Sequence, residues 1–201
     1  MKSIFVIVFA VAFAACNNSG NTGHDDTDTS NKLPSDTAVH DMSTDTTVQP
    51  LVATAQAVFS ETQADTVVTG NASFDTLQGG KVRLKLDITV PKMANKTVAV
   101  HIHEHGDCGD RGNASHGHWN PSNKPHGKWG AGDFHAGDIG NVKLDSKGHG
   151  TLSVETDLWT IGGSHMTNIL KKAVIVHSGT DDFTTQPTGN AGSRIGCGVI
   201  Q

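Results

Sequence analysis

From Lys81 to Val90 the chain alternates without a break, Val82, Leu84, Leu86, Ile88 and Val90 against Lys81, Arg83, Lys85, Asp87 and Thr89. A helix cannot sort this pattern onto one face, whereas a strand sends successive side chains to opposite sides, so the run reads as a half-buried β-strand. The same period recurs upstream at Val68, Ala72 and Phe74, and downstream at Val142 and Leu144, which are expected to pair with Leu152 and Val154 across the Ser146-Lys147-Gly148 turn. No amphipathic helical stretch of useful length interrupts it. Gly is frequent, 23 of 201 residues, and charged side chains are scarce at 17%, which disfavours a helical bundle. An all-β domain of short antiparallel strands, a sandwich or a barrel, is therefore expected over residues 51–201. Two connections are long, Gly106 to Gly140 and Ser178 to Arg194, and long irregular loops in a compact domain are usually functional.

The N-terminus reads differently. Met1 and Lys2 precede an apolar run from Ile4 to Ala15, too short to span a bilayer but suited to the core of a secretory signal. The run ends Phe13-Ala14-Ala15-Cys16, which resembles a bacterial lipobox whose Cys16 takes the lipid. Residues 1–15 are thus expected to be a lipoprotein-type signal peptide. Residues 16–50, rich in Ser, Thr, Asp and Asn, have too little apolar surface to offset ordering entropy and read as a disordered tether. The expected location is the bacterial cell envelope, on the periplasmic or surface side, with the lipid holding the chain to a membrane. The tether holds six Asp against Lys32, while residues 51–201 carry 13 basic and 14 acidic side chains, so the acidity belongs to the tether. A formal net charge of −5 excludes a basic field for nucleic acid. His24 and His40 read as solvated spacer residues.

The chain has 12 histidines, nearly as many as its 15 Lys and Arg together. In Val98-Ala99-Val100-His101-Ile102-His103, alternation sends Val98, Val100 and Ile102 inward and both imidazoles to the opposite face, about 6.6 Å apart along the strand and able to converge on one ion. His118, His126 and His135 follow in a loop broken by Gly and Pro, with Asp138 three beyond the last; such a loop cannot present ligands by helical repeat and must fold around something, for which a metal is the natural organiser. His177 closes the strand Ala173–Val176 and faces away from Val174 and Val176. An all-imidazole set suits copper, and three imidazoles with one carboxylate suit a closed tetrahedral zinc site. His105, His116, His149 and His165 are expected to be ordinary surface residues.

In order along the chain, His101-Ile-His103-Glu104-His105-Gly106-Asp107-Cys108, Gly117-His118-Trp119-Asn120-Pro121, His135-Ala-Gly-Asp138-Ile-Gly-Asn-Val142, Val176-His177 and the closing Gly189-Asn190-Ala191-Gly192-Ser193-Arg194-Ile195-Gly196-Cys197-Gly198-Val199-Ile200 resemble the copper/zinc superoxide dismutase family, from about residue 66 to the C-terminus. The resemblance implies an eight-stranded antiparallel Greek-key β-barrel or sandwich with two long functional loops. It implies copper at His101, His103, His118 and His177, and zinc at His118, His126, His135 and Asp138, with His118 bridging the two ions. Asp181 matches the family's carboxylate that joins a copper ligand to a zinc ligand. The family also carries a disulfide, here Cys108 with Cys197, and cysteine arithmetic agrees if Cys16 takes the lipid.

The implied activity is disproportionation of superoxide anion to O2 and hydrogen peroxide by Cu(II)/Cu(I) cycling beside a structural zinc, protecting the cell envelope. His118 would deliver a proton, and Arg194 would attract and orient the small anion above copper. Compared with many members, the stretch from His177 to Arg194 is shortened and puts Pro187 before Thr188-Gly189 where many have Lys, which leaves Lys124 and Lys128 as other steering cations. Members occur as monomers and dimers, so a homodimer is compatible with the sequence. Two other classes are set against this reading: a lipoprotein that buffers copper or zinc without turnover, and an adhesion module on a β-sandwich, which needs neither His118 nor Arg194.

Overall fold

The structure, a computed structural model, describes residues 53–201. The expected signal peptide and tether, with Cys16, His24 and His40, lie outside the described residues. Among the described residues, alternating apolar and polar positions form nine strands: β1 (Thr54–Val58), β2 (Ser60–Glu61), β3 (Thr69–Thr76), β4 (Val82–Thr89), β5 (Thr97–His103), β6 (Gly140–Lys143), β7 (His149–Thr156), β8 (Ala173–His177) and β9 (Arg194–Val199). They make two antiparallel sheets, in the orders β1-β3-β4-β7 and β2-β9-β8-β5-β6. The two sheets are not hydrogen-bonded into a closed cylinder, so the fold is the Greek-key sandwich rather than the barrel. The ninth strand, β2, has two residues and pairs Ser60 with Cys197 and Glu61 with Gly196. Helical structure in this part of the chain is limited to two short 3-10 turns, Pro91–Met93 and Asp110–Ser115.

The long alternating run becomes β4, central in its sheet, with Leu84 and Leu86 opposite Phe74 and Ala72 of β3 on one side and Val154 and Leu152 of β7 on the other. This overturns the expected pairing of Val142 and Leu144 with Leu152 and Val154. Val142 instead sits opposite Val98 in the second sheet. Between β6 and β7 the chain crosses from one sheet to the other: Asn95 N–H donates to Asp145 O and Val90 N–H to Gly148 O, both at 2.8 Å. Both segments alternate because each faces the core, from opposite sheets, and alternation alone cannot tell a hairpin from such a crossing.

Phe74, Leu84, Leu86, Ile88, Val98, Val100, Ile102, Val174 and Val176 fill the space between the sheets and are almost fully buried, each contributing on the order of 1.5–3 kcal/mol of hydrophobic stabilisation. Trp159 closes this core, edge-on to Phe74 at 6.0 Å between centroids. Its Nε1–H donates to Ala136 O at 2.8 Å. That bond fastens the histidine-bearing loop to the hydrophobic core. β5 is buried on both faces, because loops cover the side opposite Val98, Val100 and Ile102. That second face carries the imidazoles.

Candidate metal centre

Four chain segments meet on the covered face of β5. His101 and His103 are placed there by strand alternation. His118 is drawn in by an antiparallel bridge to His103, with Trp119 N–H donating to Ile102 O at 2.8 Å. His177 ends β8, where a register shift pairs it with Arg194 and leaves Ile195 unmatched. Such a bulge re-aims the side chains beside it. The last segment holds His126, His135 and Asp138, and Ile102 N–H donates to Gly137 O at 2.8 Å to stitch it to β5.

Two sets of ligand atoms result, His101, His103, His118 and His177, and His118, His126, His135 and Asp138; within each set the atoms lie inside 4.8 Å of one another, and every residue is buried. The hydrogen bonds fix which nitrogen each ring presents. His101 Nε2–H donates to Asp181 Oδ2 at 2.9 Å, and His126 Nε2–H to Asp181 Oδ1 at 3.0 Å. A carboxylate only accepts, so the opposite nitrogens, both Nδ1, carry lone pairs. His103 Nδ1–H donates to His116 O at 2.8 Å and His177 Nδ1–H to Gly192 O at 3.3 Å. Their Nε2 atoms, 3.4 Å apart, then face each other as two acceptors with no proton between them. Left as they stand, these groups are costly. His101 Nδ1, His118 Nε2, His126 Nδ1 and His135 Nδ1 are buried without a hydrogen-bond partner.

Metal ions fit these orphaned atoms. His118 Nδ1, His126 Nδ1 and His135 Nδ1 stand 2.8, 2.9 and 3.2 Å from Asp138 carboxylate oxygens. Ligands of one tetrahedral zinc, each about 2.0–2.1 Å from the ion, stand about 3.3 Å apart. The carboxylate is anchored independently, since Gly127 N–H and His135 N–H both donate to Oδ2, at 3.1 and 2.8 Å. The set with one carboxylate suits zinc and the all-imidazole set suits copper. His118 offers one nitrogen to each.

Burial pushes the imidazoles of His101, His103, His118 and His177 below the usual histidine range, and neighbouring imidazoles add to it; His177 goes down to about 3. Neutral rings are the form that binds metal. Burial pushes the Asp138 carboxyl up, but His118 and His135 beside it outweigh this and hold it well below the usual carboxylate range. Arg194 is half-buried and held by the 3-10 turn Asp110–Ser115: Nη1 donates to Gly112 O at 2.6 Å and Ser115 Oγ at 3.1 Å, and Nη2 to His116 O at 2.6 Å. Its Nη2–H shares the His116 carbonyl with His103 Nδ1–H, which places the guanidinium beside the all-imidazole set, and its positive charge further lowers His103 and His177. The Cys108–Cys197 disulfide ties that same turn region to β9.

Several residues support the centre through contacts that no sequence pattern reveals. Gln186 clasps His126 in a reciprocal pair, His126 N–H to Oε1 at 2.8 Å and Nε2–H to His126 O at 2.9 Å. Asn141 does the same for Asp181, with both bonds at 2.9 Å. Gly189, at φ +65°, leaves room for the Asp181 carboxylate, since a Cβ there would meet Asp181 Oδ1 at 1.9 Å and His126 Nε2 at 2.5 Å. Arg111, with Gln63, Asn113 and Ser193, lines a cavity beside Arg194. Lys124 and Lys128 have local partners instead, Asp133 at 3.6 Å and the Phe183 ring at 5.9 Å. His149 is half-buried on β7 with its Nε2 3.3 Å from the Asp87 carboxylate, and His165 is exposed.

A family model described as copper/zinc superoxide dismutase matches residues 68–200. The chain is 39% identical over 111 residues to superoxide dismutase [Cu-Zn] 2 of Aquifex aeolicus, covering 53% of this chain and 65% of that protein. It is 33% identical over 145 residues to a superoxide dismutase [Cu-Zn] of Humicola lutea, covering 69% and 93%. The chain thus spans just under two thirds of the Aquifex relative and nearly all of the fungal one. Among solved structures, the clock protein EA4 superposes with a TM-score of 0.65 at 33% identity, covering 74% of this chain and 94% of the other.

Proposed function

Because the chain belongs to the copper/zinc superoxide dismutase family, we propose that it disproportionates superoxide, two anions and two protons giving O2 and H2O2. The observation that carries this reading is one imidazole, His118, shared by an all-imidazole set and a carboxylate-containing set, with a pinned guanidinium nearby.

His101, His103, His118 and His177 would hold copper, and His118, His126, His135 and Asp138 would hold zinc. Copper, when bound, supplies the one-electron couple the reaction needs, and zinc a fixed positive charge. Asp181 accepts a proton-bearing nitrogen from each set, which fixes the tautomers of His101 and His126 and locks their ring planes. His118 Nε2, buried and without another partner, is the atom at which a proton would be held and passed on. Arg194 has two of its donors committed to carbonyl oxygens and so cannot swing away; a fixed cation of this kind attracts and orients a diatomic anion with little ordering cost.

An envelope location with Cys16 lipidated, where the enzyme would protect the cell from superoxide, belongs to the same proposal. It is supported by the sequence of residues 1–16 and by the Cys108–Cys197 disulfide, which suits an oxidising compartment. Fatty-acid labelling that disappears in Cys16→Ser tests it. For the activity, superoxide decay is measured on the purified protein as apo, zinc-only and copper-plus-zinc forms, beside Arg194→Ala. Fast decay only with copper, lowered in the Arg variant, is expected. Stoichiometric binding of both metals with decay at background would refute turnover and leave metal buffering.

A further inference from the structure

Outside the two buried sets, a third group of ligand atoms stands on the surface. Glu104, His105 and His116 bring a carboxylate oxygen and two imidazole nitrogens within 4.8 Å of one another, and all three are exposed. The two rings meet at 4.3 Å between centroids. Neither ring, nor the Glu104 carboxylate, has a side-chain hydrogen bond or ion pair among the described residues. The cluster is held by backbone, not by chance side-chain proximity. Glu104 N–H donates to Gly117 O at 3.0 Å and His105 N–H to Ser115 O at 3.2 Å, continuing the bridge between His103 and His118.

We propose that Glu104, His105 and His116 form a third metal site, for a divalent transition-metal ion such as Zn(II) or Cu(II). Two imidazoles and one carboxylate are a donor set that such ions take with an open position left for water, whereas Ca(II) and Mg(II) require oxygen ligands. Exposure and the open position make this an exchanging site, unlike the two buried ones.

The site also touches the main centre through its backbone. His116 O is the acceptor for both His103 Nδ1–H, at 2.8 Å, and Arg194 Nη2–H, at 2.6 Å. An ion on the His116 ring would therefore anchor the residue whose carbonyl orients a copper-set imidazole and the anion-guiding arginine. Occupancy outside would stiffen the arrangement inside.

The test uses the full chain with both buried sets already filled. Zn(II) is titrated in at micromolar concentrations, and bound metal is counted after equilibrium dialysis. The wild type is expected to take one further equivalent. His105→Ala is expected to weaken that equivalent by about tenfold or more, and His105→Ala/His116→Asn to abolish it while both buried sets stay loaded. Asn is chosen because residue 116 has φ +62°, which Asn tolerates. The single variant removes only an exposed ring, so it decides the matter even if the double variant folds poorly. No further equivalent in the wild type overturns the proposal, as does one that persists unweakened in His105→Ala, which would put the ion elsewhere, on His149 or the tether's His24 and His40.

Discussion

Replacing Gly189 by Ala adds one carbon at the most crowded point beside the metal centre. Its Cβ would stand 1.9 Å from Asp181 Oδ1 and 2.5 Å from His126 Nε2, at a φ of +65°. The carboxylate would have to retreat by about 1.5 Å to restore an ordinary contact, and it cannot do so while holding His101 Nε2 at 2.9 Å and His126 Nε2 at 3.0 Å. Gly163 supplies the control: it has φ +83°, with nothing within 4 Å of an added Cβ. Gly163→Ala therefore reports the left-handed backbone cost alone, about 1–2 kcal/mol. Gly189→Ala should add the loss of one or two charge-assisted hydrogen bonds, about 1.5–3 kcal/mol each, for a total of about 2.5–8 kcal/mol. Freed imidazoles should also bind metal about 10–100-fold more weakly. Denaturant unfolding of the metal-free variants and chelator competition for Zn(II) and Cu(II) read the two quantities. If both variants lose the same stability and Gly189→Ala keeps wild-type metal affinity, Asp181 does not order the centre in the way described.

Cys108→Ser should remove the constraint on a loop of 89 residues, about 4.6 kcal/mol on the chain-entropy model, and loosen the turn that holds Arg194; unfolding and superoxide decay should both respond. Arg111→Ala, at the cavity beside Arg194, should lower kcat/KM a few-fold at low ionic strength and much less at high salt; a salt-independent loss would mean a structural effect. Metal-free protein should lose stability as pH falls below about 6.5, because four imidazoles titrate there in the unfolded chain while burial holds them lower in the fold. For His177 that loss runs from about 6.5 down to about 3; flat stability across this window, followed by unfolding midpoints, would contradict the burial.

The sandwich was legible because β4 alternates without exception, and the imidazoles of β5 because a strand with valines on one face must show its histidines on the other. The zinc-type set was legible from its donor types and the resemblance, three imidazoles and a carboxylate in a loop too rich in Gly and Pro to be regular, but not from any local period. What stayed hidden shares one cause: Gln186 and Asn141 act through backbone groups of residues 60 and 40 positions away, and no local pattern records such bonds. His105 and His116 read as solvent-facing, and each is, but their juxtaposition depends on a bridge made by their neighbours. The misread pairing of Val142 had the opposite origin, an alternation so regular that it fitted two topologies.

A strand lined by hydrophobic core on one side and by ligands on the other resists insertion and deletion. Adding or removing a single residue between Val98 and His103 would exchange the two faces beyond it, turning imidazoles into the core and aliphatic side chains toward the metals. Both halves of the molecule would fail together. Variation in length among descendants of this chain should therefore be confined to open turns such as 162–166, leaving β5 to change by substitution alone.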